Sequence, residues 1–170
     1  MTILKALNRF TILIALLPSV ALSEEQISVE ERISELIAEA KMSCISEGGV
    51  LGLSGDEVVK YDFNNNSSTD LTVLNELEYD CSSSASLFQG TAGAVIHLIT
   101  DVDYYYGYAK QYKFIKAFND VPTVLFHLHG ISCDEVGLVP CINAVSIHEG
   151  RFVIMRKLWL KNPQSVQAEL

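Results

Sequence analysis

Basic residues are scarce: 12 Lys and Arg stand against 21 Asp and Glu, a formal charge of −9 over 170 residues. That shortage argues against nucleic acid, where Lys and Arg on phosphates supply most of the affinity, and against adhesion to anionic lipid. The chain has no Cys-x-x-Cys pair, so its 4 cysteines lack the spacing of zinc ribbons and redox motifs. Gly90-Thr91-Ala92-Gly93 lacks the Lys-Ser/Thr ending that cradles a phosphate and reads as a turn. Gly52-Leu53-Ser54-Gly55 misses the Gly-x-Ser-x-Gly nucleophile elbow by one residue. The N-terminal apolar stretch is broken by Pro18 and falls short of the ~20 residues that span a bilayer.

What the first segment does have is the order of a secretory signal. Lys5 and Arg9 precede an apolar core at 10–17, small residues follow in Ala21-Leu22-Ser23, and no acid occurs before Glu24. The expected organisation is a cleavable signal peptide at 1–23, one globular domain at 24–160 and a frayed tail at 161–170. Ser19-Val20-Ala21 offers a second cut two residues earlier. No membrane anchor is expected after cleavage, and the location is periplasmic or secreted. Loss of Lys5 and Arg9 takes the formal charge from −9 to −11, which permits a cationic partner and also serves solubility alone.

The cysteines agree with export. Cys44, Cys81, Cys133 and Cys141 form an even set with three possible connectivities. Gly137 and Pro140 turn the chain back between Cys133 and Cys141 and favour that bridge, leaving Cys44–Cys81 to tie the first helix to a later loop.

Ser28-Val29-Glu30-Glu31 is a capping box, and Val29, Ile33, Leu36, Ile37 and Ala40 recur on one helical face, ended by Gly48-Gly49. Strands are expected at 50–53, 57–63, 71–74, 94–100, 104–108 and 123–129, with 112–118 continuing the tyrosine-rich ribbon of 94–100 and 104–108. Segments 142–148 and 151–155 flank Glu149-Gly150, a hairpin signal. The fold class is α+β: one N-terminal amphipathic helix packed on a mainly antiparallel β-sheet, disulfide-linked.

Oxygen-bearing side chains alternate at Asp62, Asn64, Asn66, Ser68 and Asp70, a spacing that wraps a loop around a hard cation such as Ca²⁺. Ser67 stands where an EF-hand has Gly and Val73 where it has a bidentate Glu, so any affinity is expected near ~10⁻⁴–10⁻³ M. An Asn-rich turn explains the same residues without an ion. His97, His127 and His129 would make an open zinc site if their strands were neighbours and their faces agreed. Tyr104, Tyr105, Tyr106 and Tyr108 suit a sheet surface, and also stacking on sugars or a partner protein. Asp101 and Asp103 flank a turn and would serve a glycosidase only within a cleft.

Residues 58–70, a Val-rich strand followed by Asp-x-Asn-x-Asn and Asp-Leu, resemble the calcium loops of FG-GAP-type β-propeller repeats, although a single loop cannot build a propeller. Over about 44–153 the chain resembles a group of uncharacterised secreted proteins of alphaproteobacterial type. The resemblance rests on Cys81, Ser86-Leu87-Phe88-Gln89-Gly90-Thr91, Leu128-His129-Gly130 before Cys133, and Pro140-Cys141. It departs at Gln89 and Ala94, where that pattern has cysteines, and in the loop, where Asn and Ser replace Asp and Gly. The resemblance implies export and disulfides and brings no activity.

The leading expectation is an exported binding or structural domain, more an interaction protein than an enzyme. Its partner would be a protein or envelope component, with weak Ca²⁺ binding at the 62–70 loop. The alternatives are an inhibitor of a cationic envelope enzyme such as a lysozyme, and a zinc-dependent hydrolase on the three histidines.

Overall fold

The computed structural model describes residues 27–130, 141–155 and 158–159. The expected signal peptide, Cys133 and the tail lie outside the described residues. No helix among the described residues is long and apolar enough to cross a membrane.

Helix α1 spans Val29–Ser46. It starts where the sequence directs, the Ser28 hydroxyl accepting the Glu31 amide at 3.2 Å with Glu30 and Glu31 at the positive end of the dipole. It ends in a Schellman turn: the Gly48 and Gly49 amides donate back to the Ile45 and Cys44 carbonyls, and Gly48 takes φ 78°. Ala40 shares a buried cluster with Leu74 and Tyr79, against which Ile33, Leu36 and Ile37 lie.

Among the described residues eleven strands follow: β1 Leu51–Leu53, β2 Val58–Tyr61, β3 Leu71–Asn75, β4 Tyr79–Cys81, β5 Ala94–Ile99, β6 Tyr104–Ala109, β7 Gln111–Lys116, β8 Pro122–Leu128, β9 Cys141–His148, β10 Arg151–Ile154 and β11 Leu158–Trp159. They form three antiparallel sheets where the sequence suggested one: β1-β4, β2-β3-β5-β6, and β10-β9-β8-β7 with β11 added to β9. The third segment of the tyrosine ribbon does not continue its sheet. At Lys110 the chain turns a corner, donating the Lys110 amide to the His127 carbonyl at 2.9 Å, and β7 joins the second sheet beside β8. Such a corner has no signature in an alternating apolar pattern, which suggests one continuous ribbon.

The two large sheets lie face to face. The register Val73↔Leu98↔Tyr105 sets one row of side chains inward, where Leu71, Val73, Ile96 and Leu98 meet Val124, Phe126, Val145 and Ile147. The alternate residues, Leu74 and His97 among them, point to the opposite face. Asn143 is the polar member of the inward face of β9; its amide donates to the Tyr105 hydroxyl at 3.2 Å. At the corner Gly93 takes φ 102°, and a Cβ there would collide with the Ala109 backbone, so glycine is required.

Cys44 and Cys81 are bonded, with Cα atoms 5.7 Å apart, and link the last turn of α1 to β4. This is the bridge the sequence left after pairing the other two cysteines. Cys141 is also disulfide-bonded, while Cys133 lies outside the described residues. Both sulfurs of the first bridge belong to buried residues, and the 37-residue separation closes a long loop. The chain-entropy relation gives such a cross-link about 4 kcal/mol. Replacing Cys44 and Cys81 together by Ser should therefore lower unfolding stability by roughly 3–4 kcal/mol in a urea titration; a change under about 1 kcal/mol would mean that the helix does not depend on its tether.

Candidate functional site at the loop end of the sandwich

Antiparallel connectivity brings the 62–70 loop, the 100–103 turn, the 117–121 connection and the Glu149-Gly150 turn to one end of the two sheets. Between them lies a cleft of about 720 Å³. Phe63, Pro122 and Ile147 form its apolar floor, while Asp70, Asp101, Asp120 and Glu149 carry carboxylates at its wall against the single lysine Lys116. A second hollow of about 90 Å³ adjoins it towards the start of α1 and shares Asp70 and Asp101.

The walls are tied together through side chains. Asp103 accepts the Tyr104 amide on one oxygen and the Phe152 amide on the other, both at 2.8 Å, so it staples the β5–β6 turn to β10. Thr100 reaches across to the Gly150 carbonyl and also receives the Asp103 amide at 2.9 Å. Val102 lies against Gly150, where a Cβ would come within 2.8 Å of it. With both oxygens held by backbone amides, Asp103 is a structural acid, and the Asp101–Asp103 pair does not present two carboxyls to a glycosidic bond.

Backbone strain collects at the same end. Among the described residues, every non-glycine with positive φ sits here: Asn65 and Ser67 in the first loop, Asn119 and Asp120 in the third, and Glu149 in the hairpin turn. Asn and Asp tolerate this region better than other residues, but each such position costs free energy that the surrounding contacts must offset.

The five residues with alternating oxygens do close into one loop. Asp62 accepts the Asn64 and Asn66 amides on one oxygen and the Ser67 amide, at 2.7 Å, on the other. Asp70 closes the ring by accepting the Phe63 amide at 2.7 Å and the Asn64 side-chain amide at 3.3 Å. Asn66 accepts both the amide and the hydroxyl of Ser68. Partial desolvation works to raise the Asp62 pKa, but the amides of residues 67, 66, 65 and 64 together outweigh it and hold the carboxyl below its ordinary range. The loop thus satisfies itself. A Ca²⁺ ion would have to displace the Asn64–Asp70 and Ser68–Asn66 bonds, turning the Asn64 amide to present its oxygen, which is compatible only with weak binding.

The three histidines do not converge. His97, on the outer face of the four-stranded sheet, has both ring nitrogens engaged, Nε2 with Glu76 at 2.9 Å and Nδ1 with the Tyr104 hydroxyl at 2.7 Å. His127 is exposed on the outer face of the other sheet, since its neighbours Phe126 and Leu128 point into the core. His129 follows β8 and has no hydrogen-bond partner for its buried Nδ1 among the described residues. Among the described residues no group of three or more His, Cys, Asp or Glu is placed to hold a metal ion.

Asp120, Glu149 and Lys116 were not singled out as site residues from the sequence. Each sits beside a turn signal, but which turns share an end depends on sheet order, which the sequence does not display. No protein-family model, curated protein or solved structure matches the chain.

The lowered Asp62 pKa makes a stability prediction. A depressed carboxyl stabilises the fold above its unfolded pKa of about 3.9, and that contribution is lost as pH falls through the folded value. The midpoint of thermal unfolding for Asp62→Ala should therefore lie below wild type at pH 6–7, and the gap should close as acid titrates the carboxyl through its lowered folded value; a gap independent of pH would assign the effect to packing.

Proposed function

We propose that the mature chain is an exported, non-enzymatic binding domain, periplasmic or secreted, that engages a cationic protein or envelope component through its loop end. The observation that carries this reading is the cleft walled by Asp70, Asp101, Asp120 and Glu149 around an apolar floor. Loops held by a rigid sheet scaffold are where binding residues concentrate, and a rim of one charge steers and selects a partner of the other. The buried Cys44–Cys81 bridge supports an oxidising compartment. In this reading α1 is docked on the four-stranded sheet, a placement supported by the Ala40–Leu74–Tyr79 cluster. The 62–70 loop is then one wall of the binding end and takes Ca²⁺ weakly, which neutralises the wall and stiffens it.

A second reading, an inhibitor of a cationic envelope enzyme such as a lysozyme, is favoured by the same cleft, because such enzymes present basic surfaces to an acidic concave site.

Two measurements test these readings. The first is thermal unfolding of the mature protein in EDTA and in millimolar Ca²⁺. The ion should raise the midpoint by about 2–4 °C, and Asp62→Ala should abolish the rise; an unchanged midpoint would leave the loop as an Asn-rich turn. The second is retention on immobilised cationic lysozyme at low salt, expected to fall at least tenfold in Asp120→Asn/Glu149→Gln. Absence of retention by the wild type contradicts the inhibitor reading.

A further inference from the structure

The 62–70 loop sets a chemical reaction within reach of its own side chains. Asparagine is among the thermolabile residues, because the amide nitrogen of the next residue attacks its side-chain carbonyl carbon and expels ammonia. The attack is helped by a base for the amide proton and by donors for the oxygen that turns negative. Its second step needs water.

Asn66 has all of these. The attacking group is the Ser67 amide, whose N–H already donates to Asp62 Oδ2 at 2.7 Å, the distance at which a carboxylate serves as general base. Asn66 Oδ1 accepts the Ser68 amide at 2.8 Å and the Ser68 hydroxyl at 2.6 Å. Two donors thus sit on the one oxygen that gains charge in the tetrahedral state. Asn65 and Ser67, on either side, hold positive φ, and the tight turn keeps the reacting groups in one arrangement. Residues 64–69 are exposed to water.

Other asparagines are placed differently. Asn64 Oδ1 accepts the Asn66 amide at 3.0 Å, and its Nδ2, which would be the leaving group, is held by Asp70 at 3.3 Å. Asn75 is buried, away from the water that the second step needs.

We propose that Asn66 is a self-modifying site, converted to aspartate and isoaspartate by Asp62 and Ser68 of its own loop, with water as the co-reactant. The Ser67 nitrogen bonds to Asn66 Cγ while its proton passes to Asp62 Oδ2. The Asn66 oxygen carries the negative charge between the two Ser68 donors. Nδ2 then leaves as ammonia, taking the proton back from Asp62, and a five-membered succinimide remains. One water opens that ring at either carbonyl and gives an α- or β-linked aspartyl residue; no electrons are exchanged. The product is a third carboxyl in a loop that already holds Asp62 and Asp70. The reaction needs no partner and does not depend on what the cleft binds.

The test incubates the protein, disulfides intact, in neutral buffer and follows aspartate and isoaspartate at residue 66 by peptide mass spectrometry. A blocked synthetic peptide of residues 58–72 is the unfolded reference. Asn66 should react about tenfold faster in the protein than in the peptide. Asp62→Asn should remove that gain, and Ser68→Ala, which keeps the amide donor and loses the hydroxyl, should slow the reaction about twofold to fivefold. Asp62 and Asp70 are the titratable groups of the loop, and Asp101, Lys116, Asp120 and Glu149 line the cleft beside it. Partial desolvation of Asp62 is outweighed by the loop amides, which keep it ionised. The rate should therefore stay nearly flat from about pH 5 to pH 8, whereas attack without an internal base rises in proportion to hydroxide. The pH profile and Ser68→Ala decide the matter even if Asp62→Asn disturbs the loop. A rate in the protein no faster than in the peptide, a rate proportional to hydroxide, an unchanged rate in Ser68→Ala, or a product without isoaspartate would each overturn the proposal.

Discussion

The pairing of β3 with β5 is the constraint on which the other features depend. All of β3 is buried, because both of its faces are covered: Val73 and Leu98 project into the sandwich, Leu74 and His97 away from it. A one-residue slip of this register would exchange the two rows, placing a histidine with its two polar partners in an apolar core. The cost of that exchange fixes the register. Once it is fixed, the 62–70 loop must return to the same end as the 100–103 turn, and the tyrosines of β6 must alternate between core and surface.

Two different surfaces follow from that one arrangement. At the end of the sandwich, four connections bring carboxylates from distant parts of the chain around an apolar floor, and the strained residues that gather there are held by the stapling bonds of Asp103 and Thr100. Along the edge, the outward row of β6 presents aromatic faces over a buried histidine. The disulfide acts on the remaining degree of freedom, the helix, by tying its last turn to β4. The chain carries only 12 basic residues against 21 acidic ones.

Local structure was largely legible in the sequence. Ser28 marked the helix start, Gly48-Gly49 its end and Glu149-Gly150 the hairpin, because each is a matter of neighbours within a few residues. The alternation of Val124, Phe126 and Leu128 identified a strand and its inward face. What escaped was decided at long range. Nothing local tells that Lys110 turns into a second sheet, or that Glu76, 21 residues before His97, occupies the nitrogen a zinc ion would need. The loop of alternating oxygens was found as a loop, yet its internal hydrogen bonds, which compete with an ion, became visible only in three dimensions. The acidic cleft was dispersed across the chain as Asp70, Asp101, Asp120 and Glu149 and needed the sheet order to be assembled.

The central claim is that the loop end, more than the helix with its many exposed glutamates, is where the molecule meets positive charge. The direct measurement is a backbone amide NMR titration of the protein with hexaamminecobalt(III), a compact trivalent cation that offers no open coordination site. The account predicts that the largest shifts fall on the amides around Asp70, Asp101, Asp120 and Glu149 and saturate together. Shifts concentrated on Glu30, Glu31, Glu35 and Glu39 of α1, or spread evenly over all acidic residues, would contradict it.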